Sequence, residues 1–198
     1  MRSTCLLAAA ILIVAPSPSQ AQESNTKGFM GNLHYSRTTL KTDEDGDETD
    51  QGNGFGGRLG WGFSPKFTVY VGLEAAKLIL EEPGADGDYG LGHLDLGLTY
   101  NFANSNRALV PYIEVAVGTR AIAFSTIGGD FTQAGSSFTL GGGINYFFSR
   151  STALQVGLNF TGGKFENAEL DGDEIPDTDV SGSSGRLMVG FTFYPMKR

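Results

Sequence analysis

From Gly28 onward, apolar side chains alternate with small or polar ones, the period-two pattern of strands that bury one face, and no segment keeps a helical period. The pattern predicts eight strands, at 28–40, 53–63, 67–78, 89–102, 109–123, 135–148, 152–165 and 183–194. Their connections alternate in length. Ser64-Pro65-Lys66, 103–108 and 149–151 are short, whereas 41–52, 79–88, 124–134 and 166–182 are long. Such alternation is what an up-and-down antiparallel meander with two unlike ends produces, and an even strand number lets it close on itself.

Period two alone does not say which face meets water, because ligand-binding barrels and membrane barrels share it. The composition of the two faces decides. One face carries Phe55, Leu59, Trp61 and Phe63, then Phe67, Val69, Val71 and Leu73, then Leu94, Leu96 and Leu98, with Ile113, Val115 and Val117 on the fifth strand. It continues with Leu140 and Ile144, Leu154 to Phe160, and Leu187 to Phe193 at alternate positions, and no strand puts a charge in the middle of it. The opposite face is Gly, Ala, Ser, Thr and Asn, with Arg58, Glu74, His93, Asp95, Glu114, Arg120 and Arg186 as its ionisable members. A water-facing exterior needs far more charge than one group per strand. The apolar face is therefore expected to point to lipid and the glycine-rich face inward, in a transmembrane β-barrel. Aromatic girdles agree: Trp61, Phe63, Phe67, Tyr100, Phe102, Tyr146, Phe148, Phe193 and Tyr194 gather at the short-turn end. A looser set, Phe55, Tyr89, Phe124, Phe138 and Phe165, would mark the other interface.

Composition sharpens this picture. Of 198 residues 29 are glycine, enough for one compact domain, and 22 Asp plus Glu against 14 Lys plus Arg give a charge of −8. That balance excludes a nucleic-acid role driven by phosphate neutralisation. Arg2, the apolar run Leu6 to Ala15 and Ser19-Gln20-Ala21 read as a secretory signal cleaved after Ala21, leaving a barrel domain over 22–198. Cleavage removes Cys5, the single cysteine, so no disulfide framework is expected.

A repeat supports the hairpin count. Gly97-x-x-Tyr100-x-Phe102, Gly143-x-x-Tyr146-x-Phe148 and Gly190-x-x-Phe193 close strands four, six and eight, with Trp61-Gly62-Phe63 as a degenerate copy on strand two. With Pro111 to Gly118, Gly141 to Phe148 and the aromatic end Gly190 to Phe193, the chain resembles the small eight-stranded outer-membrane β-barrels of Gram-negative bacteria, the porin-family barrels of OmpX and OmpA-barrel type. The resemblance spans nearly all of 22–198. It implies an all-β, eight-stranded antiparallel up-and-down barrel in the bacterial outer membrane, with periplasmic short turns and extracellular long loops. It also implies contact with outer-membrane lipid and lipopolysaccharide, and insertion by the outer-membrane assembly machinery. The chain departs from the family in ending Tyr194-Pro195-Met196-Lys197-Arg198 instead of on a terminal aromatic.

Three arginines, Arg58, Arg120 and Arg186, and three carboxylates, Glu74, Asp95 and Glu114, share the inward face. Buried charge is costly unless paired, so matched signs read most simply as an ion-pair network filling the lumen. The alternative is a narrow small-solute or ion channel lined by these groups, favoured by the many inward glycines. Most other acids fall in the long connections. Within the fourth, Glu169-Leu170-Asp171-Gly172-Asp173-Glu174-Ile175-Pro176-Asp177-Thr178-Asp179 partly resembles extracellular calcium repeats, which makes Asp171, Asp173, Asp177 and Asp179 a candidate Ca²⁺ ligand set. Enzyme signals are thin. His34-Tyr35-Ser36 is similar to the His-x-Ser pair of outer-membrane lipid A deacylases, but the parity points both inward; His93 near Asp95 suggests a dyad, and more ordinarily a hydrogen-bonded lumen histidine. The expectation is a monomeric, non-enzymatic barrel serving envelope integrity or adhesin-like contact with extracellular ligands or host surfaces through acidic loops, with the channel as alternative and a lipid-modifying enzyme as the third reading.

Overall fold

The computed structural model describes residues 26–43, 49–79, 87–102, 108–126, 129–170, 173–175 and 180–195. The expected leader, 1–21, and most acidic loop positions lie outside them. Among the described residues there are ten strands: β1 Gly28–Thr42, β2 Asp50–Gly62, β3 Phe67–Ile79, β4 Asp88–Asn101, β5 Leu109–Thr126, β6 Gly129–Phe147, β7 Thr152–Phe165, β8 Asn167–Leu170, β9 Asp173–Ile175 and β10 Val180–Phe193. β1 to β7 and β10 pair antiparallel with their chain neighbours, and β10 pairs with β1, so eight strands close one barrel.

The register fixes the barrel's shape. From Lys41, outward partners lead through Ser183, Gly162, Phe138, Val117, Leu96, Val71 and Leu59 to Gly31, ten residues lower on β1. A stagger of this kind tilts the strands by about 35–45° and leaves an interior that side chains can fill. The facing holds for the positions assigned to the apolar face: Leu59, Leu73, Leu96, Ile113, Leu140, Phe160 and Phe191, among others, are outward and exposed. Short turns are closed locally. Ser64 Oγ accepts from the Lys66 and Phe67 amides at 3.2 and 3.1 Å, and Ser149 Oγ from the Ser151 amide at 3.2 Å.

Two of the expected long loops are instead strand. β5 and β6 stay paired as far as Thr126↔Gly129, so the described residues 124–126 and 129–134 of the segment expected as a loop are strand that continues beyond the wall. In the fourth connection, the register slips by one residue between Ser137↔Gly163 and Ala134↔Asn167. This is a bulge at Glu166, whose amide donates to Ala134 O at 2.9 Å, and β8 then follows β6 outward while β9 folds back on β8. Outside an apolar phase, no alternation of hydrophobic side chains is needed to keep a hairpin paired, which is why these segments carry no strand pattern.

Candidate functional site

The inward face is packed by matching large residues to glycines across the sheet. Tyr70 lies opposite Gly97, Tyr112 opposite Gly143, and His34 between Gly56 and Gly190. A Cβ at Gly97 would fall on the Tyr70 ring and one at Gly157 on the Tyr112 hydroxyl, while one at Gly143 would meet the Val156 carbonyl first and then that hydroxyl. Of the repeat glycines, Gly97 and Gly143 therefore leave room for the Tyr70 and Tyr112 side chains, so the space they spare is occupied by tyrosine. Gly97→Leu is expected to destabilise the barrel by about 1–3 kcal/mol through overpacking. An unchanged urea midpoint in lipid vesicles would show that the Tyr70 ring leaves that space empty.

Charge occupies the middle of the lumen in two sets. Nearer the short turns, Arg58 Nη1 and Nη2 donate to Glu114 Oε2 and Oε1 at 2.7 and 3.0 Å, a fork that crosses the lumen from β2 to β5. Asn159 Nδ2 donates to the same carboxylate at 2.6 Å, and the guanidinium lies 4.7 Å above the Tyr70 ring centroid. Bidentate geometry with further donors is what lets a buried pair offset its desolvation. Above it, Arg186 joins two acids. Its Nη1 donates to Glu74 Oε2 at 3.2 Å and its Nη2 to Asp95 Oδ2 at 3.3 Å and Thr161 Oγ1 at 2.9 Å.

The His-x-Ser pair joins this second set. Ser36 Oγ donates to Glu74 Oε1 at 2.6 Å, and His34 Nε2 lies 3.2 Å from Glu74 Oε2, with its Nδ1 2.8 Å from Asn32 Oδ1. Both residues thus converge on one carboxylate inside the barrel. The His93–Asp95 dyad does not form: Asp95 is turned to Arg186, and neither ring nitrogen of His93 has a hydrogen-bond partner among the described residues. Two residues apart on one strand, the two side chains share a face but are separated by a full pleat repeat. Arg120 departs from the expected sign matching. Its Nη2 donates to Gly163 O and Gly182 O at 2.6 and 2.7 Å, its plane covers Phe165 at 4.2 Å, and among the described residues no carboxylate pairs with it.

Apolar clusters lie toward both ends. Toward the long connections Leu40, Ala76, Leu78, Leu91, Tyr89 and Phe165 form one cluster, and toward the short turns Met30, Val110, Phe147, Ala153 and Tyr194 belong to another. Tyr89, Phe165 and Tyr194, expected in the lipid girdles, point inward because they fall on the lumen parity of their strands. The girdle at the short turns survives without Tyr194, with Phe63, Phe67, Tyr100 and Phe102 in ring contact at centroid spacings of 5.7, 5.1 and 4.9 Å. Phe124 has no described side chain. Between the apolar layers two cavities of about 10 Å³ each touch the charged sets, room for about one water apiece.

Parity also places cations where the sequence reading looked only at mid-strand positions. Arg37, Lys41, Lys77 and Lys164 face outward near the long-connection end. Arg37 donates to Asn53 and Gln51 at 3.2 and 2.9 Å, and Lys77 pairs with Asp88 at 2.6 Å. Asp50, expected in the acidic rim, points into the lumen and accepts from the Tyr89 hydroxyl at 2.6 Å. Of the candidate calcium ligands, Asp171, Asp177 and Asp179 lie outside the described residues and Asp173 opens β9 with its side chain undescribed.

Comparison with known proteins agrees with this geometry. A model of the outer membrane protein beta-barrel domain matches residues 6–193. No curated protein sequence matches. Among solved structures, Neisserial surface protein A is similar at a TM-score of 0.65 and 13% identity, covering 85% of this chain and 98% of its own. Ail, the attachment invasion locus protein of Yersinia pestis, follows at 0.52 and 18%, covering 84% and 99%. The outer membrane protein AlkL, solved in lipid bilayers, gives 0.52 and 15%, covering 92% and 97%. At these identities the likeness is one of fold.

Proposed function

This chain belongs to the outer membrane protein beta-barrel family, and on that premise we propose that it is a sealed scaffold of the bacterial outer membrane, acting through the parts that project outside rather than through its lumen. The observation that carries the reading is the layering of the interior. Among the described residues, apolar clusters toward both ends flank the Arg58–Glu114 and Arg186 sets, and two cavities between them have room for about one water each. An ion entering this lumen would have to break Arg58–Glu114 or the Arg186 set and pass an apolar constriction. What projects beyond the wall is strand at its base: the β5–β6 pair and the β8–β9 extension continue the sheet outward. Strand-based projections on a fixed frame present a constant surface, the arrangement suited to contact with extracellular ligands or with the surrounding envelope.

His34 and Ser36 support no esterase chemistry in this reading. A nucleophile needs a base and access to substrate, and both side chains are buried and committed to Glu74. The test is ion flux. Vesicles loaded with potassium chloride and carrying folded 22–198 are expected to leak no faster than protein-free vesicles. A leak that rises with the protein-to-lipid ratio would replace the scaffold by the channel.

A further inference from the structure

The lipid-facing surface of the described wall carries a recess. Near the extracellular end of β1, β10 and β7, a groove of about 580 Å³ opens outward. Its floor is Gly162, Ser183 and Gly185, on rows of the sheet where the next strand carries phenylalanine: Ser183 is paired to Gly162 and Gly162 to Phe138, and Gly185 to Phe160. Phe138 and Phe160, both outward and more than half exposed, form one wall; Thr39 and Lys41 form the other. The Thr39 hydroxyl accepts from the Gly185 amide at 3.3 Å, which holds this side chain down on the floor. The groove is thus built into the wall, and its volume lies in the range of about 300–1,000 Å³ typical of small-molecule clefts.

Facing and charge identify the occupant. A recess walled by phenylalanines on a lipid-facing surface cannot stay empty without forfeiting dispersion contacts, so the hydrocarbon around it fills it. At its outer edge stand two cations from opposite sides, Lys41 on β1 and the exposed Lys164 on β7, with Arg37 one outward position below Thr39. The carboxylates Asp43 and Glu166 come two residues farther out on the same two segments, beyond the level of the cations. Apolar floor, then cations, is the order in which a lipid presents acyl chain and anionic headgroup. We propose that this groove is a binding site for one anionic lipid of the surrounding leaflet, its acyl chain lying on Gly162, Ser183 and Gly185 between the Phe138–Phe160 wall and Thr39, and its headgroup reaching Lys41. The site uses the outside of the wall and is independent of whether the lumen conducts.

The glycines supply the test. Around Gly162 a new Cβ meets nothing within 4 Å, so Gly162→Leu fills the groove without a clash against the protein; Ser183→Leu, also outward, fills it from the neighbouring strand. Residues 22–198 and each variant would be inserted into phosphatidylcholine bilayers containing a minor fraction of phosphatidylglycerol, checked for folding by heat-dependent gel mobility, and extracted for native mass spectrometry. The unaltered chain is expected to retain one phosphatidylglycerol out of proportion to its share of the bilayer. Either leucine variant that folds should lose this species by at least about tenfold, and Lys41→Gln should keep a lipid but lose the headgroup preference. Lipids retained only in bilayer proportion by the unaltered chain, or undiminished phosphatidylglycerol on a folded leucine variant, would overturn the site. Unchanged headgroup preference in Lys41→Gln would overturn the part assigned to the cation.

Discussion

Glu114→Ala is expected to lower the stability of the folded barrel by about 3–5 kcal/mol, because it strands a buried guanidinium. Arg58 is 6% exposed and its fork is aimed at Glu114 at 2.7 and 3.0 Å. Once the carboxylate is gone, the charge is left with the Met188 sulfur at 3.5 Å and the face of Tyr70. Neither repays the hydration lost on folding. Asn159 also loses the acceptor that its amide contacts at 2.6 Å. The double replacement Arg58→Met with Glu114→Leu removes both charges together and should recover most of the loss, since an ion pair exchanged for apolar side chains of similar size is often close to neutral. Urea unfolding in vesicles, followed by the single tryptophan, Trp61 on the lipid face, reads both effects. A loss below about 1 kcal/mol for Glu114→Ala, the worth of an ordinary hydrogen bond, would mean that water reaches Arg58.

Leu96→Arg should cost about 2–4 kcal/mol, for a reason opposite in direction: the charge is placed in lipid. Leu96 is outward, 54% exposed, and flanked on the neighbouring strands by Val71 and Val117. It lies midway along β4, too far from either end for a long side chain to reach water easily. Asp45→Asn, in the first long connection, should leave folding yield unchanged. Equal yields for the two variants in vesicles would reverse the assignment of the faces.

Both faces of the wall were legible in the chain because lipid imposes a strict condition: every outward position at mid-depth must be apolar. Leu59, Leu96, Val115 and Phe160 satisfy it, and parity then sends Arg58, Asp95 and Glu114 inward without further information. Their pairing was not legible. Arg58 and Glu114 stand on strands that are not neighbours and meet across the lumen, so their contact depends on the ten-residue stagger, a property of closure that no local pattern carries. For the same reason Arg120 pairs with backbone carbonyls and, among the described residues, with no carboxylate. Aromatics near strand ends misled in the cases of Tyr89, Phe165 and Tyr194, where nearness to an interface suggested the girdle while parity placed them in the lumen. The 124–134 segment and β8–β9 were read as loops because they pair outside the membrane, where hydrophobic alternation is not required. The lipid groove is the least legible feature, since its floor is assembled from small residues on separate strands brought side by side only by register.

The sealed lumen is the claim on which the functional account stands, and single-channel recording tests it most directly. Residues 22–198, inserted in a planar bilayer with folding verified by heat-dependent gel mobility, should carry no current under applied voltage. Stable openings of the unaltered chain, shifted in ion selectivity by Arg120→Ala, would contradict the account and make the lumen charges the lining of a channel.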